Sequence, residues 1–416
     1  MKRGGRLVPV PATAAPGRLA GIEGLRATAA VAVVLHHVWI LDGGARVGQD
    51  TGVQTVFLNL ALGVTLFFAL SGFLLYRPFA AAIARGRSLP SVRGYLRNRA
   101  LRILPAYWAI LAVTALVLRT AGTRPDGETI EFGTMSPAEL AKSALLIQDY
   151  DPASMVVGIG PAWSLAVEAV FYLTLPLLAL GVARLVRASD ARARRVVLLL
   201  GPPALLLAVG LSGKLVAGVV LPASPAAGYS SDWHSVVERS FWAQADLFTF
   251  GMVAAVLHTE IVDRRVQLPP GWRPVALALS LAMFAACALT LHSGQLGYLP
   301  QNTVVGLAAA LLIAVVAFPD EAGRAPVLQR ALELPFVVSV GLVSYSVFLW
   351  NEPVVRWLTR HGLTTGGWPG LAANIAVTAV AVGALSVLTY RCVEAPALRR
   401  KRRARPVDAG QLEAAP

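Results

Sequence analysis

Along the chain, long runs of Ala, Leu, Val, Ile and Phe alternate with short clusters rich in Arg, Pro and Gly. A run of about 20 apolar residues, at 1.5 Å of rise per residue, crosses a hydrocarbon core of ~30 Å as an α-helix. Ten such runs are legible, at 21–41, 53–76, 101–118, 161–185, 195–221, 240–258, 273–291, 301–318, 334–357 and 369–390. None shows the ~10-residue alternating segments of a transmembrane β-barrel. The pattern predicts an all-α, polytopic membrane protein of about ten transmembrane helices. The only long connection, 119–160, contains "AELAKSALLIQ", which is too short to span and predicts a surface or re-entrant helix.

Composition agrees with this reading. Of 416 residues, 56% are hydrophobic and 14% charged, with a mean hydropathy of +0.62; soluble domains carry roughly 25% charged residues. The net charge of +14 would suggest nucleic acid in a soluble protein, but its distribution argues otherwise. Of the 37 Lys and Arg residues, 28 fall in the two tails and alternate connections. Seven (Arg46, Arg119, Arg124, Lys142, Arg239, Arg356, Arg360) occupy the intervening connections, while Arg26 and Lys214 fall inside spans. By the positive-inside rule both termini are expected in the cytoplasm and the chain in the cell (plasma or inner) membrane. The basic run 399–405, "RRKRRAR", then attracts anionic lipid, and no nucleic-acid partner is expected. Residues 1–20 contain no continuous apolar core and read as a basic tail rather than a signal peptide. The expected organisation is that tail, one membrane domain at 21–391, and a basic and polar tail at 392–416. Cys287 and Cys392 show no metal-ligand spacing, so packing roles are expected and no metal.

An ionisable side chain inside a span costs several kcal/mol on insertion scales and marks a functional hypothesis. In "GLRATAAVAVVLHHV", Arg26 lies near the basic end of the first span. His37, 11 residues on, is three turns and ~16 Å away on the same face; His36 points about 100° aside. Glu168 in "PAWSLAVEAVFYLTLP", Asp246 in "FWAQADLFTFGM", and Asn351 and Glu352 in "SYSVFLWNEPVVRWL" are expected with His37 in one layer near the outer surface. An imidazole among carboxylates suits a general base acting on an alcohol; the same residues also suit a structural polar network joining helices. On the basic side, "YLRNRALRILPAYW" sets Arg99 and Arg102 on one helical face, and guanidinium forks suit phosphates. Tyr107 and Trp108 suit an interfacial belt. Ser71–Gly72 has no Gly-x-Ser-x-Gly elbow around it and reads as a close helix contact.

Taken in order, "GLRATAAVAVVLHHV" with its Arg-x10-His spacing, "FFALSGFLL", "RNRALRILPAYW", "PAWSLAVEAVFYLTLP", "SYSVFLW" and "YRCVEAPALRR" resemble the membrane-bound acyltransferase-3 family. The resemblance covers about 21–400. It implies a roughly ten-helix domain taking an acyl group, often acetyl, from acyl-coenzyme A at the cytoplasmic face. The acceptor would be a hydroxyl of a sugar, envelope glycan, lipid-linked glycan or secondary metabolite. It implies His37 as catalytic base with Arg26 its partner, Glu168 as the family's carboxylate in the fourth span, and Arg99 and Arg102 at the coenzyme phosphates. Trp163, Asp246, Asn351 and Glu352 are then candidates for the acceptor site. The chain departs from the family in reading "VEAVFY" for the frequent "VEEQFY" and "LWNEP" for "LWHxP", with Asn351 in the histidine's place. Without a C-terminal hydrolase-like domain, direct transfer is expected. The competing class is a transporter or flippase with His37, Glu168 and Asp246 as a proton relay, against which stands the lack of an inverted repeat. An Arg- and Ala-rich, Lys-poor composition suggests a high-GC bacterial genome.

Overall fold

A computed structural model describes residues 19–43, 51–124, 131–187, 192–222, 228–289, 295–319 and 326–403. Most of the basic N-terminal tail, Arg46, Arg324 and the end of the C-terminal tail fall outside them. Among the described residues, ten long helices form the body of the fold: α1 (Ile22–Val38), α2 (Gly63–Ala84), α3 (Val92–Ala112), α4 (Trp163–Arg187), α5 (Gly201–Leu215), α6 (Asp246–Val262), α7 (Trp272–Leu289), α8 (Gln295–Ala317), α9 (Pro335–Arg360) and α10 (Gly367–Thr389). Among the described residues, nine helical segments are long and apolar enough to cross a membrane. The tenth expected span is α6, whose 17 residues give about 26 Å of rise, at the short end of the spanning range. Its ends nevertheless meet opposite layers of the fold. Asp246 at its start is bound to Lys214 and Thr303, and Asp263 after its end is paired with Arg85 at 2.8 Å.

Two boundaries differ from the expectation for a physical reason. The second apolar run continues as helix through Ala84 rather than ending at Tyr76, because Pro78 does not interrupt it and Tyr76 is anchored internally, its hydroxyl donating to Leu199 O at 2.7 Å. The third starts at Val92 rather than 101, because Ser91 caps it by accepting from the Gly94 N–H. That earlier start makes the arginine-rich stretch helical. Arg99 and Arg102 are thus held by a helix and not by a loop.

Small residues let helices approach without hydrophobic drive in lipid. Between α2 and α6, a Cβ on Gly72 would lie 2.1 Å from Phe248 O, and one on Gly251 would lie 1.9 Å from Ala69 O. The close contact read for Ser71–Gly72 is therefore made by Gly72. Around it, Phe68, Phe73, Phe171 and Phe248 fill the interior, with Phe171 and Phe248 stacked at 4.1 Å.

The long connection packs over the end of the fold opposite the Arg85–Asp263 pair. It holds a two-stranded hairpin, β1 (Ala121–Thr123) and β2 (Glu131–Gly133), and the short helix Pro137–Ala144 with its Ser136–Glu139 capping box. The helix expected from "AELAKSALLIQ" is thus a single exposed piece at the surface. Tyr107 and Trp108 donate to the carbonyls of Ser143 and Ala144 at 2.6 and 2.9 Å, so the aromatic pair ties this segment to α3.

Deep in the segment, Asp149 is 1% exposed and accepts from the Val156 N–H at 3.1 Å and Gln148 Nε2 at 2.6 Å. Burial pushes its carboxyl up to about 7, against the opposing pull of those hydrogen bonds and Arg239. A carboxyl raised on folding contributes stability that is present below its unfolded value near 4 and is lost as pH rises through 7. Limited proteolysis of 119–160 should accelerate as pH rises from about 4 to about 7 and level off above that, and Asp149→Asn should flatten that dependence.

Candidate functional site

Two cavities lie one above the other between α1, α2, α4 and α9. The first is lined by Arg26 from α1, Ser71 from α2, Arg99 and Arg102 from α3, Glu168 and Tyr172 from α4, and Tyr345 from α9. The second is lined by His36 and His37 from α1, Trp163, Arg239, Asn302, and Glu352 and Arg356 from α9. Val64, Phe68 and Phe348 line both, so an apolar waist separates a cavity near the basic end from one near the long connection. Phe67 packs edge-on against Phe348 at 5.7 Å, and Phe68 against Trp163 at 6.1 Å.

α1 serves both cavities. Gly21, at φ 78°, starts the helix, and its N–H donates to Glu333 Oε1. Eleven residues of α-helix then carry the chain from Arg26 to His37, ~16 Å along the axis on one face.

In the basic cavity Glu168 is held by two hydroxyls, accepting from Ser71 Oγ and Tyr172 Oη at 2.6 Å each. Tyr172 follows Glu168 by one turn and so shares its face. Arg26 approaches Glu23 at 3.7 Å, and Arg102 pairs with Glu394 at 3.4 Å. Glu394 also accepts from Ser346 Oγ, which ties the "YRCVEAP" stretch after α10 to α3 and α9. Arg99 Nε is buried without a hydrogen-bond partner. A buried guanidinium donor left open favours an anionic or strongly accepting ligand.

In the second cavity both histidines bind backbone carbonyls through Nδ1: His37 to Val33 O at 2.9 Å and His36 to Phe57 O at 3.2 Å, with rings edge-on at 5.2 Å. A carbonyl only accepts, so each Nδ1 carries the proton and each neutral ring keeps its lone pair on Nε2. Glu352, which lines the cavity with His37, accepts at Oε1 from Arg356 Nε at 2.7 Å and from Nη2, while Oε2 has no partner. Gly160, just before α4, lies against that carboxylate; a Cβ there would fall 2.0 Å from Oε2. Arg239 is sandwiched between Trp163 and Tyr229, at 4.5 and 4.0 Å from the ring centroids, and donates to Gly228 O.

The residues singled out in the sequence therefore divide. Arg26, Arg99, Arg102 and Glu168 meet in one cavity; His37, Trp163 and Glu352 meet in the other. The single layer expected for His37, Glu168, Asp246 and Glu352 does not form. Glu168 lies five residues past Trp163, ~7.5 Å further down α4, which takes it below the waist. Asp246 faces α5 and α8, with Lys214 of α5 and Thr303 of α8 donating to it and Gly210 of α5 packing against it, and it lines neither cavity. Asn351 turns back on its own helix, donating to the carbonyls of Phe348 and Val347, because its neighbour Glu352 occupies the cavity-facing position about 100° away. His36, set aside by the same angular reasoning, does line the cavity, since the chain around Phe57 closes over that side of α1.

Sequence reasoning did not assign cavity roles to Ser71, Tyr172, Arg239, Arg356, Gln244 and Asn302. One turn of spacing from Glu168 and from Glu352 could have found Tyr172 and Arg356. The polar triplet "QNT" (301–303) at the head of an apolar run marks Asn302.

A sequence profile for the acyltransferase domain family matches residues 19–391. Similar proteins include the acyltransferase MdmB of Streptomyces mycarofaciens, 28% identical over 94% of each chain. Nodulation protein 10 of Rhizobium leguminosarum bv. viciae is 25% identical over 90% of this chain and 92% of its own. The exopolysaccharide production protein ExoZ of Rhizobium meliloti (strain 1021) is 27% identical over 84% and 93%. No solved structure matches.

The carbonyl bond to His37 has a spectroscopic consequence. In a His36→Gln background, 15N NMR of histidine-labelled protein in lipid should show the His37 ring protonated on Nδ1 and bare on Nε2 at neutral pH. The opposite tautomer would contradict the Val33 bond.

Proposed function

Since the chain belongs to the acyltransferase-3 family of multi-pass membrane acyltransferases, we propose that it moves a short acyl group, acetyl above all, from acyl-coenzyme A to a hydroxyl of a sugar, envelope glycan or glycosylated metabolite. The observation that carries this reading is the stacking of a cavity with three guanidiniums beneath one with a bare imidazole nitrogen. With the basic end in the cytoplasm, as the charge distribution supports, the donor's phosphates meet Arg99, Arg102 and Arg26. Three guanidiniums lining one cavity fit a polyanion. The thioester end of the donor then extends toward the waist.

In the second cavity His37 Nε2 accepts the acceptor's hydroxyl proton as the oxygen attacks the thioester carbonyl. The new C–O bond forms, the C–S bond breaks, and the proton on His37 passes to the departing thiolate. The Nδ1–H bond to Val33 O fixes the ring, and Glu352 stabilises the imidazolium that forms. Glu168, held by Ser71 and Tyr172, lies beside the arginines and orients their side of the donor site. The name of the exopolysaccharide production protein from Rhizobium supports a carbohydrate acceptor. The proton-relay alternative loses support because His37, Glu168 and Asp246 lie in separate surroundings, the last in a closed ion pair.

Purified protein given acetyl-coenzyme A and a sugar acceptor should release free thiol, and His37→Ala should abolish release while leaving expression and melting temperature intact. Near-wild-type turnover by that variant would remove His37 from the role of base. Gly160→Ala, whose methyl displaces the Glu352 carboxylate from its place beside His37, should lower kcat by roughly 10- to 100-fold in a folded protein, read by the same thiol assay.

A further inference from the structure

Val64, Phe68 and Phe348 line both cavities and mark the place where the two adjoin. An acyl group carried by the shortest route from the arginines to His37 passes between these three side chains. None of them offers a polar atom, so passage there is decided by size and shape.

Their surroundings leave them little freedom. Val64 follows Gly63, and a Cβ on Gly63 would lie 2.7 Å from Ala29 O and 3.2 Å from Val33 Cγ2, so α2 rests directly on α1 at this level. Phe348 lies two turns after Gly341, where a Cβ would overlap Glu23 O, so α9 rests on α1 in the same way. Packed helices do not slide apart by small amounts, and the gap between these helices changes only as side chains rotate. Val64 is stiff, because a β-branched valine in a helix keeps one χ1 rotamer in roughly 90% of cases. Phe68 is 1% exposed, with the rings of Phe248 and Trp163 at 4.9 and 6.1 Å. Phe348 is 6% exposed, with the ring of Phe67 at 5.7 Å.

We propose that Val64, Phe68 and Phe348 select the acyl group by its cross-section rather than by its length. Straight-chain acyl groups pass to His37, while groups branched at the carbon beside the carbonyl are stopped below the waist. The inference rests on the acyltransferase reading above and names the class of donor it admits. The segment of coenzyme A next to its sulfur is itself an unbranched chain, so an opening that admits it admits a straight acyl chain of the same width. A branch beside the carbonyl adds a methyl where the path is narrowest. One misplaced carbon in a fitted apolar site changes rates roughly 10- to 200-fold.

The test is independent of the acceptor. Two single variants of the full chain each place a thiol in one cavity: His37→Cys above the waist, and Ser71→Cys below it, two turns past Val64 on α2. Each thiol takes the acyl group from the donor by exchange. A C–S bond forms at the new cysteine, the bond to the coenzyme A sulfur breaks, and the cysteine's proton ends on the released thiol. Sealed inverted membrane vesicles holding either variant receive butyryl- or isobutyryl-coenzyme A, isomers of equal mass, on the cytoplasmic face. Peptide mass spectrometry follows the labelling. The Ser71→Cys chain should take both isomers at similar rates. Relative to it, the His37→Cys chain should take butyryl at least tenfold faster than isobutyryl. Adding Val64→Ala to His37→Cys should bring the two isomers within about threefold. Phe348→Leu, a second way to widen the opening, should do the same, and Leu173→Ala on the exposed face of α4 should leave the preference unchanged.

Equal labelling of the His37→Cys chain by the two isomers overturns the inference, as does a preference that neither widening variant reduces in folded protein. Butyryl labelling of Ser71→Cys without any of His37→Cys also overturns it, because the donor then enters the lower cavity and does not pass the waist; the acyltransferase reading stands in that case. If neither chain is labelled, no donor enters from the basic side, and the donor site of that reading falls together with the inference.

Discussion

Hydrocarbon offers no partner to a polar group, so every ionisable side chain in the bundle must be bonded to protein or face a cavity. This constraint sorts the charged residues of the structure into two kinds. Lys214 and Asp246 close on each other and on Thr303, and hold α5, α6 and α8 together. Arg26, Arg99, His37 and Glu352 instead keep part of their bonding capacity turned toward a cavity. The first kind is cement. The second has a use beyond folding, and its members come from helices far apart in sequence, brought together by close contacts such as Gly72 on Phe248.

The two cavities divide the chemical work between them. Guanidiniums, with Glu168 held by its two hydroxyls, make the lower cavity strongly polar. Above the waist, Glu352 is paired with Arg356, and Arg239 is held between aromatic faces and donates to a carbonyl. An imidazole there keeps a free lone pair on Nε2 because its Nδ1–H donates to a backbone carbonyl. α1 fixes the distance between the two settings, since an α-helix neither stretches nor compresses appreciably over eleven residues.

Much of this was legible in the sequence, for reasons that differ by feature. The spans could be read because membrane thickness imposes a length, and Arg26 and His37 could be placed on one face because helical periodicity is local. Depth was less secure. Glu168 was expected in the layer of His37, yet five residues of helix past Trp163 carry it to the other side of the waist. Rotation was insecure for the same reason. Choosing between Asn351 and Glu352 requires knowing how α9 is turned against its neighbours, which packing alone decides. The partnership of Lys214 with Asp246 joins residues 32 apart and has no local signature. The close approach read at Ser71–Gly72 concealed a second role, because the glycine makes the contact while the serine hydroxyl turns to Glu168.

The waist of Val64, Phe68 and Phe348 has an electrical meaning as well. Moving one elementary charge through a membrane potential costs ~2.3 kcal/mol per 100 mV. Wherever water fills a recess on either side, the potential there equals that of the bathing solution. The whole voltage drop then concentrates across the short apolar stretch between the recesses. On the proposed reading, a neutral acyl group would cross that stretch without doing electrical work, whereas a proton or a metal cation would not. An enzyme shaped in this way can open a chemical passage through a bilayer and leave the ion gradient across it intact.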